Sequence, residues 1–188
     1  MLGDSQPYAK IPVTKPIMIE FSNYFRTTNN NELGALCSVL YYGFLRISEA
    51  LALTKSDISI TADHKLSITI QKSKTDQTGK AVVHELEDSH TTYSVFQWFL
   101  PYVIQHEGKL FPNPATSYRR SLAAAFAAIG CSTKYSTHSF RKGAAHEAAK
   151  LNISEYKIKA MGRWKSSVYT RYTAVTLKEA CQLISASI

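Results

Sequence analysis

Residues whose side chains could bind a phosphate group are concentrated in the stretch from Ser136 to Tyr172. His138 and Arg141 are three residues apart, so on a helix they share a face, one turn from an N-terminus that Ser136 or Thr137 can cap. The start of a helix favours an anion, Arg offers a planar fork of donors, and His can donate or accept near neutral pH. The same pattern also fits a surface histidine beside a solvated arginine, so by itself it is weakly specific.

Arg46 is the second candidate, because it follows the almost wholly apolar run LGALCSVLYYGFL. This run predicts a buried helix that starts near Glu32 and ends at Arg46. An unpaired buried charge is costly, so Arg46 needs a partner, and Glu49 lies on the same face three residues later. The residues alone leave open whether this is a structural ion pair or a functional arginine supported by a carboxylate.

Four motifs, RISE, KSKT, HSFR and GRWKSSVYTRY, resemble in type and order those of the tyrosine recombinases, the phage and transposon integrase family. The resemblance spans roughly Pro16 to Ile184, and RKGAAHEAAK with GRWKSSVYTRY looks most like eukaryotic transposon recombinases of the crypton and DIRS type. The gap between Trp164 and Tyr172 is one residue shorter than in many family members. The resemblance implies a mainly α-helical catalytic domain with a small three-stranded antiparallel β-sheet, an α+β fold.

The family's chemistry, as the resemblance implies it, uses no metal ion and no cofactor. Tyr172 would attack a DNA phosphodiester to give a 3′-phosphotyrosine and a free 5′ hydroxyl, and Tyr169, three residues earlier on the same helical face, is the alternative nucleophile. Lys74 would protonate the leaving 5′ oxygen, with Lys72 in reserve. The implied catalytic set is Arg46, Lys74, His138, Arg141, Trp164 and Tyr172, with Glu49 in support.

The remaining basic residues are candidates for binding the DNA backbone. The net charge of +8 and the pI of about 9.4 favour a polyanionic partner, because Lys and Arg neutralise phosphates and release counterions. We therefore expect double-stranded DNA as the partner, and the resemblance adds a homo-oligomer, a tetramer on DNA, joined through the C-terminal helix. The DNA-contact candidates are Lys72, Lys80, Arg119, Arg120, Lys142, Arg163 and Lys165.

Length and composition predict one globular domain. The chain has 188 residues with 45% hydrophobic content, enough for a real core. Its three cysteines are widely spaced and without a CxxC pair, which argues against a disulfide framework or a zinc site. No signal peptide or membrane-length apolar run is present, so we expect an intracellular protein, nuclear if the host is eukaryotic.

The chain is predicted to divide into a lead-in over 1–15 and a catalytic domain over 16–188, without the family's separate N-terminal DNA-clamping domain. Helices are expected from Pro16 to Phe25 and from Glu32 to Arg46, followed by a short helix capped by Ser48. Three strands should form a meander from DISIT, KLSITIQKS and KAVVHEL. Four later helices are expected in TTYSVFQWFLPYVIQHE, which Pro101 should kink or divide, in SYRRSLAAAFAAIG, in HSFRKGAAHEAAKL and in SEYKIKAMG.

Other catalytic classes are not supported by the motifs. The sequence contains no GxxxxGK[ST], GxGxxG, HExxH or GxSxG pattern. Three alternatives stay open: a non-catalytic DNA-binding descendant of a transposon recombinase, a type IB topoisomerase that relaxes supercoils with the same residues, and a helical interaction protein with chance motifs. A complete set of catalytic residue types argues against the first, and the short chain with integrase-like spacing argues against the second.

Overall fold

A computed structural model describes residues 11–71, 81–88, 91–131 and 134–164. Helices and one small sheet account for its regular structure. Within the described ranges the α-helices are α1 (Lys15–Thr27), α2 (Asn31–Tyr42), α3 (Ile47–Ala50), α4 (Phe99–Ile104), α5 (Ala115–Ala128), α6 (Thr137–Lys150) and α7 (Glu155–Met161). The strands are β1 (Ile58–Ile60), β2 (Leu66–Ile70) and β3 (Val82–Leu86).

Helix α2 is the centre of the domain. Its side chains from Leu33 to Tyr41 are all buried, as expected for a helix that is apolar on every side, and it contacts α1, α3, α4, α5 and α6. Asn30 caps it by accepting a hydrogen bond from the Leu33 amide at 3.2 Å. The helix ends earlier than predicted, at Tyr42, so Arg46 is not on α2 but begins the next helix.

The three strands form the predicted antiparallel meander, in the order β1-β2-β3. Ile68 lies opposite Ile58 on one side and His84 on the other. Residues of β2 are almost all buried, whereas β3 alternates between half-buried and exposed positions. The sheet therefore packs one face on the helices, and on β3 that face carries Val82, His84 and Leu86.

The region before α4 departs from the prediction. Residues 92–98 form turns, and the helix spans only Phe99–Ile104, with Pro101 in its first turn. The carbonyl oxygen of Thr92, which a helix would use internally, instead accepts hydrogen bonds from Ser22 Oγ, Arg26 Nη2 and Trp98 Nε1 at 2.7–3.2 Å. Contacts with α1 therefore replace the first turns of the predicted helix.

The end of the predicted lead-in packs directly against α6. Val13 is fully buried, and its amide donates to the Ser139 carbonyl oxygen at 2.9 Å. The two backbones approach so closely at Gly143 that a Cβ there would lie 1.8 Å from the Val13 carbonyl oxygen. Gly143 is thus required by this crossing. None of the helices in the described ranges is long and apolar enough to cross a membrane.

Candidate active site

Three arginines from separate segments meet on the buried carboxylate of Glu49. Its Oε1 accepts from Arg46 Nη1 at 2.6 Å, and its Oε2 accepts from the Arg46 amide at 2.7 Å and from Arg163 Nη2 at 2.5 Å. Arg141 Nη1 lies 3.8 Å from the same Oε2. The Glu49 side chain is only 1% exposed, so this cluster is an interior feature and not a surface ion pair.

The turn between α2 and α3 brings Arg46 to this carboxylate. Gly43 ends α2, and Phe44, with a φ of +51°, adopts a left-handed backbone conformation in the turn before α3. Arg46 is the N-cap of α3, and Glu49, in the first turn, reaches back to the Arg46 amide. The predicted Arg46–Glu49 contact is therefore formed, and the side chain of Arg46 remains 18% exposed.

Helix α6 supplies His138 and Arg141, as predicted from their spacing. Ser136 is the N-cap, and its amide donates to Ser139 Oγ at 3.0 Å. Arg141 is buried, with its Nη2 donating to the Gly162 carbonyl oxygen. His138 is more exposed. Partial burial lowers its pKa, and the charges of Arg141, Arg46 and Lys142 lower it further, which favours the neutral imidazole at neutral pH.

Trp164 closes the site beside Arg141. The guanidinium carbon of Arg141 lies 4.7 Å from the centroid of the indole ring, within the range of a cation–π interaction, and Phe44 meets the ring edge-on with centroids 6.3 Å apart. The ring folds back over Gly162, where a Cβ would lie 1.9 Å from a ring atom. Glycine at this position is what allows Trp164 to reach Arg141.

His84 also belongs to this site, although the sequence motifs did not indicate it. Its Nε2 accepts a hydrogen bond from Arg163 Nη1 at 2.7 Å, which requires a neutral ring with its proton on Nδ1. Burial lowers the pKa of His84 to about 4, and the charge of Arg163 acts in the same direction. The alternation of KAVVHEL, which places His84 on the inward face of β3, is the signal that could have revealed it.

The predicted DNA contacts occupy different environments. Arg119 and Arg120 are exposed on α5, while Lys142 is half-buried on α6, where burial lowers its pKa. Arg163 is turned into the protein, with its side chain 9% exposed. Lys72, Lys74, Lys80 and Lys165 lie outside the described residues, as do both candidate nucleophiles, Tyr169 and Tyr172.

The charge of the cluster suits an anion. Burial by itself raises the pKa of Glu49, but the charges of Arg163 and Arg46 and the hydrogen bonds from Arg46 outweigh burial and hold this pKa below its usual value. Among the residues that the structure describes, one carboxylate therefore faces three guanidiniums. Arg46 is the most exposed of the three arginines and presents its positive charge towards solvent, with the neutral imidazole of His138 nearby.

Comparison with solved structures identifies the fold. The chain matches the Tn1549 transposon integrase in complex with circular intermediate DNA with a TM-score of 0.68 and 15% identity, over 92% of this chain and 62% of that one. For a lambda integrase dimer bound to a COC′ core site, the TM-score is 0.68 and the identity 15%, over 87% of this chain and 47% of that one. For XerH site-specific recombinase bound to palindromic difH substrate, the TM-score is 0.70 and the identity 14%, over 94% of this chain and 54% of that one. No protein-family model and no curated protein sequence matches the chain.

These matches show that the chain has the catalytic-domain fold of the tyrosine recombinases. The resemblance inferred from the four sequence motifs is confirmed at the level of the fold, as is the prediction of a mainly helical domain with a three-stranded antiparallel sheet. The chain spans about half to two thirds of the length of the three matched chains. The finer likeness to crypton and DIRS elements stays a prediction.

Proposed function

We propose that this chain is the catalytic domain of a site-specific DNA recombinase of the tyrosine recombinase family, serving integration or excision of a mobile element. The observation that carries the proposal is the convergence of Arg46 and Arg141 on Glu49, with Trp164 stacked on Arg141 and His138 beside them. The chain therefore has both the fold of these recombinases and a cluster in which three arginines surround one carboxylate. An intracellular, DNA-bearing compartment, the nucleus in a eukaryote, is part of the proposal.

The proposed reaction exchanges one phosphodiester for another. The Tyr172 oxygen attacks phosphorus, the bond from phosphorus to the 5′ oxygen breaks, and the DNA 3′ end becomes linked to the enzyme. Arg46 and Arg141 neutralise the charge that builds on the two non-bridging oxygens, which is preorganised electrostatic stabilisation. Because a phenol with an ordinary pKa near 10 is a weak nucleophile, it depends on this surrounding positive charge.

Two proton transfers complete the step. Lys74 donates a proton to the leaving 5′ oxygen, and His138 accepts the phenolic proton or donates to the phosphate. The lowered pKa of His138 keeps its ring neutral and able to accept that proton at neutral pH. A second 5′ hydroxyl can reverse the reaction, since the phosphotyrosine conserves the phosphodiester link, and reversal on a partner duplex amounts to strand exchange.

We also propose assembly into a tetramer on DNA through the C-terminal segment. An open groove of about 460 Å³ is lined mainly by apolar side chains of α2, β3 and α6 and of the residues around α7, together with the charged residues Lys65, Glu85, Glu87 and Glu147. Leu151 and Met161 on this groove are 67% and 36% exposed, which fits a surface that another segment covers. Leu151→Asp should reduce assembly on DNA in sedimentation experiments, whereas Ile104→Asp, at an equally exposed residue outside the groove, should not.

Covalent trapping tests the proposed reaction. The chain is incubated with nicked suicide duplexes whose sequence is randomised around the nick, and products are separated on denaturing gels with and without protease. We expect a protease-sensitive DNA adduct that disappears in Tyr172→Phe and persists in Tyr169→Phe. The reverse pattern would assign the nucleophile to Tyr169.

The alternatives give different results in the same experiment. DNA binding without any adduct from the unaltered chain would favour a non-catalytic descendant. Relaxation of supercoiled plasmid without sequence preference, together with the adduct, would favour the topoisomerase. Absence of both binding and adduct would favour a helical interaction protein.

A further inference from the structure

Arg163 is held by four groups of the protein, although its sequence context suggested a DNA contact. Its Nη2 donates to Glu49 at 2.5 Å and to the Phe44 carbonyl oxygen at 3.2 Å. Its Nη1 contacts His84 at 2.7 Å and the Met161 carbonyl oxygen at 3.2 Å. The guanidinium therefore joins α3, the turn before it, β3 and the end of α7, and both terminal nitrogens are used by the protein.

The backbone conformation of Arg163 is strained, and the hydrogen bonds of its side chain offset the cost of that strain. Arg163 has a φ of +51°, in the left-handed region that a residue with a side chain rarely adopts. It sits between Gly162, whose carbonyl oxygen accepts from Arg141, and Trp164, whose ring lies against Arg141. Gly162, Arg163 and Trp164 therefore all take part in the arginine cluster, through a carbonyl oxygen, a guanidinium and an indole ring, respectively.

Glu49 links Arg163 to Arg46, because its carboxylate binds both residues. The same Oε2 accepts from Arg163 Nη2 and from the Arg46 amide, while Oε1 holds Arg46 Nη1. Loss of Arg163 would leave this carboxylate free to rotate towards Arg141, 3.8 Å away. Arg46 would then lose the fixed acceptor that orients its guanidinium.

We propose that Arg163, held in place by His84, is a positioning residue of the site. It orients Arg46 through Glu49 and fixes the point from which the chain continues to Trp164 and, nine residues after Arg163, to Tyr172. The inference rests on the proposed recombinase function. It assigns Arg163 to the interior of the site, in place of the DNA contact that the sequence suggested.

The two roles predict different effects on DNA binding. A phosphate-contacting arginine contributes to the salt dependence of affinity, so its removal reduces the slope of log affinity against log salt by about one. A positioning arginine leaves this slope unchanged and affects the rate of the chemical step. A displacement of about 1 Å at such a site can cost on the order of 100-fold in rate.

The experiment compares Arg163→Met with Lys109→Met, which removes one positive charge from an exposed side chain outside the site. Single-turnover adduct formation at saturating DNA and the salt slope of binding are measured for both. Arg163→Met should form adduct about 100-fold more slowly with an unchanged salt slope, and Lys109→Met should keep the normal rate. A slope reduced by one with a normal rate at saturation would overturn the proposal.

His84 provides a second test that does not require altering Arg163. His84→Leu removes the acceptor for Arg163 Nη1, whereas His84→Gln offers an amide oxygen instead. The leucine variant should be about tenfold slower, and the glutamine variant should recover most of the rate. Equal rates in the two variants, whether both normal or both slow, would contradict the role of the acceptor.

Trp164 fluorescence separates this inference from the proposed reaction, because the chain has only two tryptophans and Trp98 is buried in the core. The Trp164 signal is the difference between each variant and its Trp164→Phe counterpart. Arg163→Met should shift this emission to the red and increase acrylamide quenching, and Lys109→Met should not. No adduct from the unaltered chain would refute the proposed function, while unchanged Trp164 emission in Arg163→Met would refute the positioning role.

Discussion

Two ionic clusters of this domain differ in burial and in which charged group is shared. Around Glu49, three arginines share one carboxylate, and the side chains of Glu49 and Arg141 are 1% and 2% exposed. Around Lys65, just before β2, two carboxylates share one lysine, with Nζ 2.9 Å from Asp63 and 3.5 Å from Glu87. Both carboxylates of the second cluster are mostly exposed.

The difference in burial determines what each cluster contributes to stability. Charges at the surface interact through water and gain little, whereas charges taken into the interior lose hydration and must be held by good geometry. A buried cluster with unbalanced positive charge is an expensive way to stabilise a fold. It becomes useful when an anion completes it, as the proposed binding of a DNA phosphate would do.

Removal of the shared carboxylate should give the largest effect and the sharpest contrast between the clusters. Glu49→Ala removes the buried carboxylate that three guanidiniums share, and we expect a loss of about 3–5 kcal/mol in the free energy of unfolding. Urea denaturation measures this loss. Glu87→Ala, the matched change in the exposed cluster, should hardly move the denaturation midpoint, and similar losses in both variants would remove the distinction.

Acid should weaken the buried cluster before the exposed one. The folded-state pKa of His84 is lowered to about 4 from an ordinary value of 6.5, so between these values the unfolded chain binds the extra proton. Stability from this group is complete above pH 6.5 and is lost as the pH falls towards 4, by about 2 kcal/mol for a half-buried ring. The lowered pKa of His138 acts in the same direction.

His84→Gln tests the assignment of that acid loss. Among the described residues, the charged groups that act on His84 are Arg163, Arg141 and Glu49, and the pKa of Glu49 is itself held below its usual value. Denaturation curves recorded between pH 7 and 4 should therefore be flatter for His84→Gln than for the unaltered chain. Equal pH dependence would show that other groups take up the proton.

Replacement of Trp164 should have an intermediate effect. Trp164→Leu removes the cation–π contact with Arg141 and the edge contact with Phe44, for a loss of about 1–2 kcal/mol in the free energy of unfolding. Trp164→Phe keeps a ring over Arg141 and should lose less, as judged by thermal or urea denaturation. Equal losses would mean that the ring face contributes little.

The smallest effect should come from the exposed lysine. Lys65→Ala breaks the contacts with Asp63 and Glu87, but these groups are hydrated and flexible, so the thermal midpoint should stay nearly unchanged. The difference from the unaltered chain should diminish further in high salt. A large, salt-insensitive loss would show that the two clusters are not so different after all.

Local pattern was sufficient where the decisive contacts are local. The shared face of His138 and Arg141 and the pairing of Arg46 with Glu49 follow from helix periodicity, and the start of α6 follows from its cap at Ser136. Pattern failed at the end of α2, because the apolar run continues past Gly43 without a polar break. It also failed before α4, where the Thr92 carbonyl oxygen is taken by side chains that include Ser22, seventy residues away in sequence.

The site itself was only partly predictable for the same reason. Sequence motifs indicated Arg46, His138, Arg141 and Trp164, and the structure brings all four to one place. The contact between His84 and Arg163 depends on how β3 lies beside the end of α7, and these two residues are 79 positions apart in the sequence. The alternation of β3 indicates that His84 faces inward, but no periodicity within one element shows that it meets Arg163.

The crossing of Val13 over α6 makes one backbone amide a reporter of the site. This amide is hydrogen-bonded to the Ser139 carbonyl oxygen, one residue after His138, and it is shielded while the crossing at Gly143 stays closed. Its rate of hydrogen exchange with solvent therefore measures how often the helix that carries His138 and Arg141 separates from the segment behind it. An anion bound by the arginines should slow that exchange without touching Val13.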